Sequence, residues 1–181
     1  MKKGYNLLVL KALTFFIDNP YEEIHLREFS RRLKISSNSA QRFLNLFLEQ
    51  KFIKEERKAN LRYFKANLDN LVFRYTKKTY SIKKLEDAGL AGYLANNFSN
   101  VVLFGSVAKG IDEQKSDIDL VCIGNNKSPN LGNYENILKR QINTHIFSLP
   151  EWKKQKDKNK AFYQDVIVDG INLIGEIPIV E

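Results

Sequence analysis

Two aspartates one residue apart, Asp117-Ile118-Asp119, follow an apolar run, Val101-Val102-Leu103-Phe104, and a Gly105-Ser106 turn. Side chains on a strand alternate faces, so Asp117 and Asp119 point one way while Ile118 and Leu120 point into a core. Two carboxylates then share one small volume. Their repulsion is costly unless a divalent cation sits between them, and hard oxygen ligands of this kind suit Mg²⁺ or Mn²⁺. Gly105 supplies the other half of such a site, because it reaches backbone angles closed to other residues and lets the chain turn sharply off Phe104. If a short helix starts after Ser106, its first amides and the positive end of its dipole favour a phosphate, and the Ser106 hydroxyl is a further donor.

These residues resemble the nucleotidyltransferase superfamily that includes polymerase beta, kanamycin nucleotidyltransferase and the minimal nucleotidyltransferases of prokaryotes. Its signature is Gly-Ser followed by Asp-x-Asp between apolar residues, here Gly105-Ser106 and Asp117-Ile118-Asp119, with Ser116 in a position that the family often fills. The resemblance implies metal-dependent transfer of a nucleoside monophosphate from an NTP to a hydroxyl, with release of pyrophosphate. It implies that Asp117 and Asp119 are the catalytic, metal-holding pair and that Gly105 and Ser106 hold the triphosphate. Lys109 stands where many relatives carry arginine, in a Gly-Ser-x-Ala-x-Gly pattern ending at Gly110; it either neutralises phosphate or is a solvated surface lysine.

The sequence departs from the family at one point. Active members usually carry a third carboxylate on a later strand. The segment that reads as that strand, Gln141 to Ser148, has no Asp or Glu, and Asn143 occupies the position. An amide oxygen coordinates metal weakly and cannot act as a base. His145, two residues on, is either a substitute base or a partly buried strand residue with no chemistry.

Those motifs must be positioned by a chain of 181 residues, 43% apolar and 28% charged, which is globular and of a size for one domain or two small ones. No apolar run has the length of a membrane span, and Met1-Lys2-Lys3-Gly4 is not followed by the apolar block of a signal peptide. The single Cys122 makes no internal disulfide. These features predict a cytoplasmic protein with no membrane partner.

Charge divides the chain. Residues 1–80 hold 17 Lys and Arg against 8 Asp and Glu, whereas residues 81–181 hold 12 against 13. A basic module beside a nearly neutral one suggests a polyanion partner for the first. Within it, Asn6 to Ile17 and Leu26 to Leu33 read as helices, and a third is capped by Ser36 or Ser37 and runs to about Gln50. Phe52 to Arg57 and Leu61 to Ala66 read as two strands of a hairpin. That order resembles a winged helix-turn-helix domain, whose third helix meets base edges in the DNA major groove. The resemblance implies duplex DNA contacts from Ser37, Asn38, Ser39, Gln41 and Arg42, with Arg57, Lys58 and Arg62 of the wing on the backbone or minor groove. Protein contact or homodimerisation is the alternative use of such a module.

The expected fold is α+β, a winged helix-turn-helix over residues 1–80 followed by a small mixed-sheet nucleotidyltransferase domain over 81–181. A connecting helix is expected from Leu68 to Tyr80 and another from Lys83 to Phe98. Beyond the aspartates the pattern gives a helix from about Tyr134 to Arg140, the strand with Asn143, helices opened by Pro150 and Ala161, and a final strand at Ile171. Two functions follow from these features: an enzyme that modifies a protein, a small molecule or a nucleic acid end, or a catalytically silent nucleotide-binding regulator that binds DNA.

Overall fold

In the computed structural model, which describes residues 2–125 and 127–180, helix α1 (Lys2–Asp18) ends where Pro20 removes a backbone donor and the Asn19 side chain donates to the Phe15 carbonyl at 2.9 Å. A two-residue strand, β1 (Ile24–His25), leads into α2 (Leu26–Leu33), which closes with Lys34 in the left-handed region at φ 55°. Ser36 then caps α3 (Ser37–Glu49) by accepting from the Ser39 amide at 3.1 Å. The hairpin β2 (Ile53–Lys58) and β3 (Leu61–Ala66) follows, with β1 adding antiparallel to β3. Phe16, Phe29, Phe43 and Phe47 are buried between the helices, with Phe16 rings 5.3 Å from Phe29 and 6.2 Å from Phe47. These elements form one compact unit, Met1–Tyr75; the other is Thr76–Glu181.

The sequence reading of two helices between residues 68 and 98 is corrected by the structure. One helix, α4 (Leu71–Asp87), runs through both proposed segments, and Gly89 at φ 74° ends it. A short α5 (Leu90–Leu94) follows, and Phe98 opens β4 (Phe98–Phe104) instead of closing a helix.

In the second unit, α6 (Gly105–Lys109) leads to β5 (Ile118–Gly124), then α7 (Gly132–Leu138) crosses to β6 (Ile142–Phe147). Helices α8 (Leu149–Lys158) and α9 (Lys160–Asp169) precede β7 (Ile171–Ile174). The strands form a mixed sheet in the order β6-β5-β4-β7, with β5 and β6 parallel and the other pairs antiparallel. Alternation divides its side chains. Ile118, Leu120 and Cys122 join Val101, Leu103, Leu90 and Leu94 in one core layer, while Val121 and Ile123 join Val102, Phe104, Trp152 and Val166 in the other. Helices α8 and α9 cover that second face, where Trp152 is fully buried and donates its indole N–H to the Pro178 carbonyl at 2.7 Å. The lysines at 153, 154, 156, 158 and 160 are exposed, as a solvated face requires. No helix of the described residues is long and apolar enough to cross a membrane.

Candidate functional site

Register brings the polar residues together. Asp119 pairs with Phe104 on β4 and with Asn143 on β6, so it sits between the two strands at the end where Gly105 turns away. Asp117 lies one residue ahead of β5 and is exposed, while Asp119 is half-buried. The Asn143 amide nitrogen donates to both, to Asp117 Oδ2 at 3.2 Å and to Asp119 Oδ1 at 3.1 Å. Gln141 in turn donates to Asn143 Oδ1 at 3.3 Å. The two carboxylates therefore surround one point, occupied by the N–H₂ of a neutral amide. Among the described residues, no group of three or more His, Cys, Asp or Glu is placed to hold a metal.

Gly105 closes one side of this point. Its φ is 71°, and a Cβ built on it would stand 2.7 Å from Asp119 Oδ2. No other residue type fits there without moving the carboxylate. Ser106 begins the following turn, where its carbonyl accepts from the Gly110 and Ile111 amides. Lys109, read from sequence as either a phosphate contact or a solvated surface lysine, pairs with Asp165 and lies 3.6 Å from Asp169, both on α9. The Asp165 carboxylate raises the Lys109 ammonium above its ordinary pKa.

His145 is exposed beside the site, its ring 5.5 Å from Phe104 and 5.4 Å from Phe162. Burial pushes the Cys122 thiol up to about 12, which leaves it inert. A cluster that the sequence reading missed lies behind Asp117. The Arg140 guanidinium donates to the carbonyls of Ser116 and, at 3.2 Å, Asp117, and to Asp112 Oδ2 at 2.9 Å. Lys77 lies 3.1 Å from the other Asp112 oxygen, and both of these side chains are almost wholly buried. Residues 77, 112 and 140 are too far apart in sequence for any spacing to signal their meeting.

In the first unit, Ser37, Asn38 and Arg42 are exposed on α3, and Gln41 donates to Asn45 at 2.8 Å. Ser39 is taken up in the cap, its hydroxyl 3.0 Å from that of Ser36. The hairpin cations carry acidic neighbours. Arg62 makes two bonds to Glu55, at 2.7 and 2.6 Å, and holds that carboxyl below its ordinary pKa. Lys58 bonds Glu23 across to the chain ahead of β1 and is raised by it. Arg57 is 3.8 Å from Glu55, with a mostly exposed side chain.

Residues 90–176 match the family model described as polymerase beta, nucleotidyltransferase. The match lies within the second unit and spans Gly105, Ser106, Asp117, Asp119 and Asn143. No curated protein matches the chain. Residues 90–176, on the small mixed sheet, are thus similar to a nucleotidyltransferase domain, and nucleotidyl transfer is the general activity of that family.

Proposed function

We propose that a domain taken as residues 81–181, within the second unit, binds an NTP with Mg²⁺ or Mn²⁺ and transfers its nucleoside monophosphate to a hydroxyl acceptor. The observation that carries this reading is the convergence of Asp117 Oδ2 and Asp119 Oδ1, at 3.2 and 3.1 Å, on one point. Hard divalent cations take such oxygens together with phosphate oxygens and water, so the donor set fits. Bound there, the cation would supply charge neutralisation at the attacking and leaving oxygens. Asp117 and Asp119 orient the nucleotide from one side. Gly105 lets the α6 turn approach closely, and the Ser106 hydroxyl would donate to phosphate. Lys109 contributes only if the nucleotide displaces Asp165.

The Asn143 amide supports the second reading, a silent nucleotide-binding domain. Asn143 bridges both carboxylates through N–H donors and offers no proton acceptor of carboxylate strength. In either case the first unit, within residues 1–80, is read as a winged helix-turn-helix that binds duplex DNA, on its element order and its excess of Lys and Arg.

Incubation of the full chain with each α-labelled NTP and Mg²⁺, with calorimetry of Mg·NTP binding beside it, separates the two. Label transferred to protein, nucleic acid or a small molecule supports the enzyme. Binding without transfer supports the regulator, and the absence of both removes the nucleotide site.

A further inference from the structure

We propose that Arg140 is a positioning residue for the Asp117 carboxylate, locked in place by the buried Asp112–Lys77 ion pair. This rests on the reading of Asp117 and Asp119 as the metal-holding pair. The two aspartates are supported unequally. Asp119 lies inside β5 with a strand on each side, so the ladder fixes its backbone. Asp117 precedes the strand, and the neighbouring ladder bond is made by the next residue, Ile118 N–H to the Gln141 carbonyl at 2.9 Å.

Arg140 supplies what the ladder does not. Its guanidinium binds two consecutive carbonyls, those of Ser116 and Asp117, through Nε and one terminal nitrogen. A planar fork that holds two successive carbonyls fixes the two peptide planes that flank the Asp117 Cα and thereby the direction in which the Asp117 side chain leaves the chain. The other terminal nitrogen is anchored on Asp112 at 2.9 Å. Asp112 is in turn held by Lys77 at 3.1 Å, with side-chain exposures of 1% and 2%. Burying three charged groups is a poor route to stability, since apolar side chains of similar volume commonly do as well. What this cluster provides that an apolar one cannot is directional bonding to the carbonyls that precede β5.

The test uses the full chain with Mn²⁺ and ATP, reading bound ion by electron paramagnetic resonance and folding by thermal melting. Arg140→Lys keeps the charge but cannot span both carbonyls and Asp112. It is expected to weaken Mn²⁺ binding by about tenfold or more and to broaden the lines of the ion that remains bound, with a cooperative melt retained. Arg140→Gln is the second variant, expected to weaken binding at least as much. Asp117→Asn is the reference. If Asp117→Asn binds Mn²⁺ as the parent does, the metal reading itself fails. If Asp117→Asn loses the ion while Arg140→Lys binds it with unchanged affinity and line shape, the positioning role alone is overturned. Loss of the cooperative melt in both Arg140 variants also overturns it, since Arg140 would then serve the fold.

Discussion

At the scale of single residues, Gly105 and Asn143 decide how the two carboxylates are presented. Alanine at Gly105 would hold a positive φ of 71° against its preference, at a cost of about 1 kcal/mol, and would bring a methyl carbon to 2.7 Å from Asp119 Oδ2. The carboxylate is the far end of a flexible side chain and swings aside. Gly105→Ala is therefore expected to keep a cooperative denaturant melt, lowered by roughly that amount, while losing Mg·NTP affinity in calorimetry. Unchanged affinity would place the nucleotide elsewhere. Asn143→Asp exchanges two donated hydrogen bonds for a third negative charge about as close to both aspartates. Without metal, that variant should melt at lower stability by about 1–3 kcal/mol, and Mg²⁺ should restore part of the loss. If transfer is limited by the missing carboxylate, the same change raises label transfer. Robust parental transfer that Asn143→Asp destroys would move the chemistry to another group, His145 first.

At the scale of elements, the sequence is legible wherever periodicity and capping act within one segment. Alternation around Ile118 and Leu120 gives Asp117, just ahead of β5, and Asp119 a common side, and in the first unit Pro20 marks the end of α1 and Ser36 the start of α3. Charge pattern and apolar spacing give one helix over residues 68–80 and another over 83–98, so the sequence reading breaks α4 where it is continuous and runs past Gly89, where the helix stops. Strand β1 has only two residues and exists through pairing of Ile24 with Phe64 and His25 with Tyr63, which no local pattern reveals. Arg140 is legible in the sequence only as the end of a helix and lies just beyond α7 in the structure; its partners come from the segment before β5, where Asp112 is in turn held by Lys77 of α4. Helix α8 is the clearest local case. Ser148 accepts from the Glu151 amide at 3.4 Å while Glu151 accepts from the Ser148 amide at 2.8 Å, a capping box that starts the helix carrying Trp152. Ser148→Ala is expected to lower stability by about 1 kcal/mol with Mg·NTP affinity unchanged, because α8 supports the sheet face without touching the carboxylates. A loss of affinity larger than the loss of stability would show that α8 shapes the site directly.

At the scale of the whole molecule, charge asymmetry is visible in the sequence, but its distribution is not, because ion pairing follows strand register. Glu55, in register with Phe64, reaches Arg62 diagonally across the hairpin, and Glu23 reaches Lys58 from the chain ahead of β1, which pairs with β3. Two cations assigned to DNA contact by their position in the wing are thus already paired. Arg57 is less engaged, at 3.8 Å from Glu55 with 79% of its side chain exposed. On the proposed DNA reading, a phosphate must compete with Glu23 and Glu55 for Lys58 and Arg62. Removing those carboxylates should therefore strengthen binding. Glu23→Gln frees Lys58, and Glu55→Gln frees Arg62 and the neighbouring Arg57, while the hydrogen-bonding shape of each side chain is largely kept. Each variant of the full chain is expected to bind mixed-sequence duplex more tightly at low salt. For each cation newly placed on a phosphate, the plot of log affinity against log salt should steepen by about 0.9. Arg42→Ala, on α3, should weaken binding selectively by about 1–3 kcal/mol at one base position. Fluorescence anisotropy over a salt series measures all three. Equal affinity and slope for the parent, Glu23→Gln and Glu55→Gln would take the wing off the duplex and leave the hairpin to protein contact, because a phosphate that touched either cation would feel the loss of its competitor.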